Sequence, residues 1–124
     1  MTILGIDYGT RWLGLALGQT ETRFAFPYRT LEQGESLLSQ LAEICRAERV
    51  EKIVVGVPSI WNGGGAIQNE IQKFGARLRI RLNLSVVFAE ELFTSRFARV
   101  LAPTHARHTN HAQAAALIVE NYFS

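Results

Sequence analysis

The sequence is poor in several features, and each scarcity excludes a class of protein. Cysteine occurs once among 124 residues, at Cys45, which excludes an internal disulfide framework and fits a reducing compartment. No apolar run reaches the length of about 18 residues that a membrane-spanning helix needs. The opening residues MTILGIDYG also lack the basic region of a signal peptide. We therefore expect a cytoplasmic protein with no membrane partner.

Charged residues make up only 19% of the chain, and one residue type provides most of each sign. Ten of the eleven acidic residues are Glu, so Asp7 is the single Asp, and eleven of the thirteen basic residues are Arg. The formal net charge of +2 is mildly basic, which is compatible with binding to a polyanion but does not require it. The length fits one domain over residues 1–124, because domains commonly contain about 100–150 residues.

The first third of the chain predicts three strands. The apolar run Ile3–Asp7, followed by Gly9, indicates a buried strand and a tight turn. Trp12–Gly18 contains two glycines, which disfavour a helix, so we expect a second strand. Arg23–Leu31 alternates loosely and contains Pro27, which is typical of an edge or bulged strand. Short turns between the three predict an antiparallel meander.

The remainder of the chain predicts helices that alternate with strands. Apolar residues recur at helical spacing over Glu35–Arg49, whereas the β-branched run Lys52–Val57 predicts a strand. Ala66–Asn83 fits both periods, and we favour a helix because strands of ten or more residues are uncommon. The last predicted elements are a strand at Ser85–Ala89 and helices at Glu91–Leu101 and His111–Phe123. The order βββαβαβαα predicts an α/β fold with a mixed five-stranded sheet flanked by helices.

Acidic residues stand at the ends of the first and last predicted strands. Asp7 lies in GIDYGT, where the flanking glycines would let a metal-bound phosphate or a nucleic-acid backbone approach. A strand-end Asp is also common as an acceptor of turn hydrogen bonds. Glu90 and Glu91 are neighbours on a strand and point to opposite faces, so only one of them can share a face with Asp7. A Glu at a helix start also occurs for its interaction with the helix dipole alone.

Two further segments are candidates for a site. His111 begins the closing helix, in which Ala114–Ala116 offer a slim face for close packing on the sheet. A His at a helix start is more often an ordinary surface residue. The segment VVGVPSIWNGGG would expose backbone N–H groups beside the carboxyl edge of the sheet, where ligands of α/β proteins bind. The same glycines are also typical of a flexible connecting loop that binds no ligand.

Basic residues form two groups. Lys73, Arg77 and Arg81 recur at intervals of four on one helix face, and Arg96 and Arg99 lie on another helix. Arginine suits phosphate because its planar guanidinium donates two parallel hydrogen bonds. The same spacing of basic residues is also typical of a helix face that contacts only solvent.

Taken in order, these segments resemble the YqgF family, also called RuvX, of Holliday junction resolvases with an RNase H-like, RuvC-like fold. GIDYGTRWLGLA is similar to the opening Gly-x-Asp-x-Gly motif of the family, and VVGVPSIWNGGG to its Val-Val-Gly-Leu-Pro loop. FAEELFTSRFA resembles its Asp-Glu-Arg-Leu-Thr-Thr segment, and HAQAAALIVENYF resembles its closing helix. The resemblance covers almost the whole chain. It implies a nuclease that acts on pre-16S rRNA or on branched DNA.

The resemblance also implies the site. Its carboxylate triad becomes Asp7, Glu91 and His111 here, because His111 stands where the family has a further acid. Glu90 and Leu92 also depart from the family's usual Asp and Arg. The implied cofactor is a divalent metal, Mn²⁺ or Mg²⁺, and imidazole favours Mn²⁺ because it is a softer ligand than carboxylate. We predict that nucleic acid is contacted by Arg11, Trp12, Asn62, Lys73, Arg77, Arg81, Thr94 and Arg96.

Two other functions remain open at this point. The missing third acid is compatible with a nucleic-acid-binding module of the same fold that is catalytically weak or inactive. GIDYGT also resembles a turn of actin-like and sugar-kinase ATPases, although those enzymes close two domains around a nucleotide and 124 residues supply one. A junction resolvase is expected to be a symmetric homodimer, because its substrate has two equivalent cleavage sites, whereas a monomer would favour RNA trimming.

Overall fold

The computed structural model describes residues 1–57, 65–90 and 107–124, with the backbone alone for residues 107–110. The elements in these ranges are β1 (Thr2–Tyr8), β2 (Trp12–Gln19), β3 (Phe24–Glu32), α1 (Leu37–Ala47), β4 (Val50–Val57), α2 (Gly65–Leu82), β5 (Ser85–Glu90) and α3 (Arg107–Phe123). The predicted helix at Glu91–Leu101 lies outside the described residues. In the described ranges, no helix is both long and apolar enough to span a membrane.

The five strands form one mixed sheet in the order β3-β2-β1-β4-β5. Strands β1, β2 and β3 pair antiparallel, which confirms the predicted meander. Strand β4 pairs parallel with both β1 and β5, so the connections through α1 and α2 are crossovers. Strand β1 is therefore central, and its carboxyl end lies beside the carboxyl end of β4.

Strand β3 is an edge strand with a bulge, as its proline predicts. Leu15 is paired with Arg29, but the next residue, Ala16, is paired with Pro27, so one residue of β3 is unmatched. Proline has no N–H to donate, and an edge strand with an irregular register accommodates that loss.

The sheet carries a hydrophobic core on each face because side chains alternate along the strands. Leu4 and Ile6 of β1 pack with α1 and α2 on one face, whereas Ile3 packs with α3 on the other. The segment Ala66–Asn83 fitted both the helical and the strand period. It forms helix α2, and the apolar stripe of that helix is buried, which confirms the helix prediction. Its buried residues are Ile71, Phe74, Gly75 and Leu78.

Helix α3 packs unusually close to the sheet. Ala114, Ala115 and Ala116 are all buried, which confirms the slim face predicted for this helix. Beneath them, a Cβ atom at Gly5 would overlap the side chain of Val119. Small residues on both surfaces thus bring the helix against β1 and β2, and this contact positions the start of α3.

Candidate active site

Asp7 lies at the carboxyl end of the central strand, and its side chain points to the face covered by α3. It is 2% exposed, and within the described ranges it is the one charged residue that is buried. Burying a carboxylate is costly unless polar partners compensate for the lost water. A buried acid at this position therefore needs neighbours that interact with its charge.

His111 is such a neighbour. Its Nδ1 atom lies 3.3 Å from Oδ2 of Asp7, and its side chain is 22% exposed. The two residues are 104 positions apart, and helix α3 brings them together. The approach depends on Gly14, because a Cβ atom there would overlap the backbone carbonyl of His111. The sequence predicted this pair, and the structure places its side chains in contact.

Small residues flank Asp7 in the sheet. The strand register places Gly14 on one side and Gly56 on the other, with Thr30 and Ala89 next in the same row. Side chains in one row share a face, so the surface around the carboxylate is built almost without side-chain bulk. A tight antiparallel turn between β1 and β2 is enough to pair Asp7 with Gly14. The positions of Gly56 and Ala89 depend instead on the register of the parallel strands β1, β4 and β5.

Glu90, the last residue of β5, lies on the face of the sheet opposite Asp7. Val86 packs on the side of α1 and α2, whereas Ala89 packs toward α3. Alternation puts Glu90 on the side of Val86, away from Asp7, and Glu90 is exposed. Glu91 lies outside the described residues. Since Glu90 faces away, Glu91 stays the predicted acid of the Asp7 face.

The turn between β1 and β2 is held by a residue from the end of β3. Gln33 donates from its side-chain Nε2 to the carbonyl of Gly9 and from its backbone N–H to the carbonyl of Arg11, both at 2.8 Å. The Arg11 guanidinium lies 5.6 Å from the centre of the Trp12 ring and 3.7 Å from a carboxylate oxygen of Glu32. Arg11 and Trp12, which are both predicted to contact nucleic acid, therefore lie beside the carboxyl end of β1 at a turn that Gln33 holds by hydrogen bonds.

The basic residues of α2 lie elsewhere. Lys73, Arg77 and Arg81 are exposed, and their helix covers the face of the sheet opposite Asp7. Arg81 also donates from Nη2 to the hydroxyl of Ser39 at 3.2 Å. A nucleic acid would have to pass over an edge of the sheet to contact both this stripe and the carboxylate. The predicted contacts Asn62, Thr94 and Arg96 lie outside the described residues.

Tyr8 follows the site aspartate and points to the other face. Its ring centre is 4.9 Å from that of Phe74 in α2. Burial is the main cause that raises the pKa of the Tyr8 phenol, and the charge of Glu70 adds to it, outweighing the opposing effects of Gln33 and Arg77. The phenol therefore stays protonated at neutral pH and can both donate and accept a hydrogen bond. Sequence reasoning did not single out Tyr8 or Gln33.

The contact between Asp7 and His111 fits a divalent metal. A carboxylate oxygen and an imidazole nitrogen are both donors that divalent ions accept, and the two atoms lie 3.3 Å apart. No group of three or more His, Cys, Asp or Glu residues suitable for a metal occurs within the described ranges. Further ligands would come from residues outside those ranges, such as Glu91, or from substrate and water.

Comparisons with known proteins agree with this architecture. The family model described as "RuvX: Holliday junction resolvase" matches residues 1–124. A protein of Dechloromonas aromatica (strain RCB) named "Putative pre-16S rRNA nuclease" is 31% identical over 131 residues, covering 98% of this chain and 90% of the relative. A Maridesulfovibrio salexigens protein of the same name is 34% identical over 98 residues, covering 77% and 73%.

A solved structure shares the fold. RuvC of T. thermophilus, solved in complex with a Holliday junction substrate, superposes with a TM-score of 0.64 at 16% identity, covering 99% of this chain and 94% of that one. This likeness establishes an RNase H-like fold, and it confirms the fold class predicted from the sequence. With the family model matched over residues 1–124, the chain belongs to the RuvX family of Holliday junction resolvases, a family of nucleases.

Proposed function

We propose that this protein is a metal-dependent nuclease that hydrolyses phosphodiester bonds in structured nucleic acid. The observation that supports it best is the Asp7 carboxylate, 2% exposed at the end of the central strand, with His111 Nδ1 at 3.3 Å. Burying a carboxylate costs free energy that its neighbours must offset. Its position at a sheet edge with an imidazole beside it supports a chemical role for the pair.

Each residue has a distinct task in this proposal. Asp7 offers a carboxylate on a short stem, which restricts its oxygens to few positions beside the backbone. Glu91 provides a second carboxylate. A divalent ion, when bound, supplies charge to stabilise the phosphate oxygens and lowers the pKa of a coordinated water. His111 acts either as a further nitrogen ligand or as a proton carrier, because imidazole changes protonation near neutral pH.

Two substrates are compatible with the proposal. The family description concerns Holliday junctions, and the two relatives are named for pre-16S rRNA. Both are phosphodiester polymers that the basic residues of the turn and of α2 would contact in a salt-dependent manner. Junction resolution calls for a homodimer with two sites, whereas 5′-end processing of rRNA does not. The oligomeric state of the active form therefore bears on the choice.

Cleavage assays with a matched pair of variants test the proposal. The purified protein is incubated with Mn²⁺ or Mg²⁺ and with either four-way junction DNA or an RNA that contains the pre-16S 5′ end. We expect cleavage of at least one substrate, lost in Asp7→Asn, which keeps the shape of the side chain. Glu51→Gln makes the same chemical change at an exposed position of β4 and should retain cleavage. Equal cleavage by Asp7→Asn and the unmodified protein would contradict the proposal.

A nucleic-acid-binding module without cleavage is the second candidate. It is favoured by one observation, that the partner of Asp7 is the histidine His111, at a position where the family resemblance implies an acid. In the same assay, this alternative predicts salt-dependent binding by both the unmodified protein and Asp7→Asn, with no product from either.

A further inference from the structure

A cavity of about 260 Å³ lies beneath Tyr8, on the face of the sheet covered by α1 and α2. Its apolar surface is provided by Leu37, Leu38 and Phe74. The cavity is smaller than the range of about 300–1,000 Å³ that is typical of sites for whole small molecules. Its size and apolar surface suit one planar group.

The polar residues around this cavity combine donors and acceptors. Tyr8 contributes a phenol, Gln33 an amide, Glu35 a carboxylate and Arg77 a guanidinium. Glu35 and Arg77 form no ion pair with any residue in the described ranges. The guanidinium can therefore donate to, and the carboxylate accept from, a molecule that enters the cavity.

The cavity and the candidate active site lie on opposite faces of the sheet, at the same end of β1. Tyr8 and Asp7 are consecutive on β1, so their side chains lie on opposite faces within about 4 Å of backbone. Gln33 lines the cavity and also donates to the carbonyl of Gly9 in the turn that follows. A strand that crosses the carboxyl edge of the sheet can therefore have a phosphate on one face and an adjacent base on the other.

We propose that this cavity binds one unpaired nucleobase of the substrate, adjacent to the phosphodiester bond that is cut at Asp7. The inference builds on the proposed nuclease function. Unpaired bases are commonly bound by stacking on aromatic side chains and by hydrogen bonds to their edges. A free phosphate suits the cavity less well, because it would meet an apolar surface and the carboxylate of Glu35.

Guanine can satisfy both charged residues. Its O6 and N7 atoms accept from an arginine, and its N–H groups donate to a carboxylate. Arg77 and Glu35 supply that combination. Uracil has no two adjacent acceptors for a guanidinium, because its N3–H lies between its two carbonyl groups, so it should bind more weakly.

Nuclear magnetic resonance on the full chain, without metal, tests this site. The probes are guanosine, uridine and inorganic phosphate, and the signal is the side-chain amide of Gln33. We expect guanosine to shift this signal at lower concentration than uridine, and phosphate to leave it unchanged. Arg77→Ala should weaken guanosine binding at least about fivefold, the lower limit for losing one bidentate base contact. The matched variant Arg46→Ala removes an exposed arginine of α1 outside the cavity and should leave guanosine binding unchanged.

Other results would overturn the inference. An unchanged Gln33 signal with every nucleoside would do so, as would an equal shift with phosphate alone or equal weakening by the two arginine variants. Leu38→Trp, which fills the cavity, should remove guanosine binding while circular dichroism shows an intact fold. Asp7→Asn should bind guanosine normally. If the unmodified protein binds guanosine at this site but cuts nothing, the proposed nuclease function fails and the base site stands.

Discussion

The backbone carbonyl of His111 occupies the space that a side chain at Gly14 would need. Gly14 is also the partner of Asp7 in the pairing of β1 with β2. One position on β2 therefore governs how closely the imidazole on α3 can approach the carboxylate on β1. The geometry of the candidate site depends on the absence of a single methyl group.

Replacing Gly14 with alanine should damage stability and activity together. The added Cβ must push the start of α3 away from the sheet, and overpacking of this kind typically costs about 1–3 kcal/mol. Denaturant unfolding and a cleavage assay measure the two effects. Gly65→Ala is the control, because a Cβ atom there meets nothing within 4 Å. Unchanged stability and cleavage in Gly14→Ala would show that α3 does not need this contact.

Lengthening the acid at position 7 should be nearly as harmful as removing it. Asp7→Glu keeps the charge but moves the carboxylate by one methylene in a site where the residue is 2% exposed. A displacement of about 1 Å in a catalytic group can cost roughly 100-fold in rate, and we expect a loss of that order. The control is Glu51→Asp, which shortens an exposed acid of β4. Full activity in Asp7→Glu would mean that the length of the acid is unimportant.

The metal preference should follow the ligand at position 111. An imidazole is a softer ligand than a carboxylate, so the unmodified protein should turn over faster with Mn²⁺ than with Mg²⁺. His111→Asp replaces the nitrogen ligand with an oxygen ligand and should lower the ratio of the Mn²⁺ rate to the Mg²⁺ rate. Initial rates in each metal give the ratio, and a chelator should abolish both. Equal turnover of the unmodified protein with the two metals would argue against His111 as a ligand.

Cys45 should be almost unreactive in the folded protein. Burial raises the pKa of its thiol to about 11, whereas an unperturbed thiol ionises near about 8.5. At pH 8 the thiolate fraction should therefore be roughly 200-fold lower in the folded chain than in the unfolded one. The alkylation rate in buffer and in denaturant measures this difference. A cysteine introduced at exposed Ala47 of the same helix should react at the ordinary rate.

The same raised pKa affects stability at high pH. Below about pH 8.5 the Cys45 thiol is neutral in both states and the protein keeps its full stability. Between that value and about 11 the unfolded chain gives up the proton while the folded chain retains it. Stability should therefore fall as the pH rises through this window, and the fall should be smaller in Cys45→Ala.

Local patterns predicted the type and order of the described strands and helices, although α3 begins at Arg107, four residues before the predicted start at His111. Apolar runs and turn residues placed β1, β2 and β5, each within one residue of the observed bounds. Pro27 identified β3 as an edge strand. For Ala66–Asn83 the length of the segment favoured a helix over a strand, and the structure buries Ile71, Phe74 and Leu78 on one side of α2. These features depend on neighbours in sequence, which explains why they could be read from it.

Relationships between distant segments were harder to predict. The approach of His111 to Asp7 followed from a family resemblance, and its dependence on Gly14 became visible only in three dimensions. The basic stripe of α2 looked like part of the same site, but the crossover puts that helix on the other face of the sheet. No local pattern indicated Gln33, because its hydrogen bond to Gly9 joins the end of β3 to a turn more than twenty residues earlier in the chain.

The two hydrogen bonds from Gln33 have a further consequence for binding. They fix the turn after Asp7 through contacts within the protein alone, since both acceptors are carbonyls of residues 9 and 11. A loop that is already ordered loses little conformational freedom when a ligand arrives, so less of the interaction energy is spent on ordering it. Mutating Gln33 would therefore weaken substrate binding by loosening the free protein, even where the side chain itself touches no phosphate.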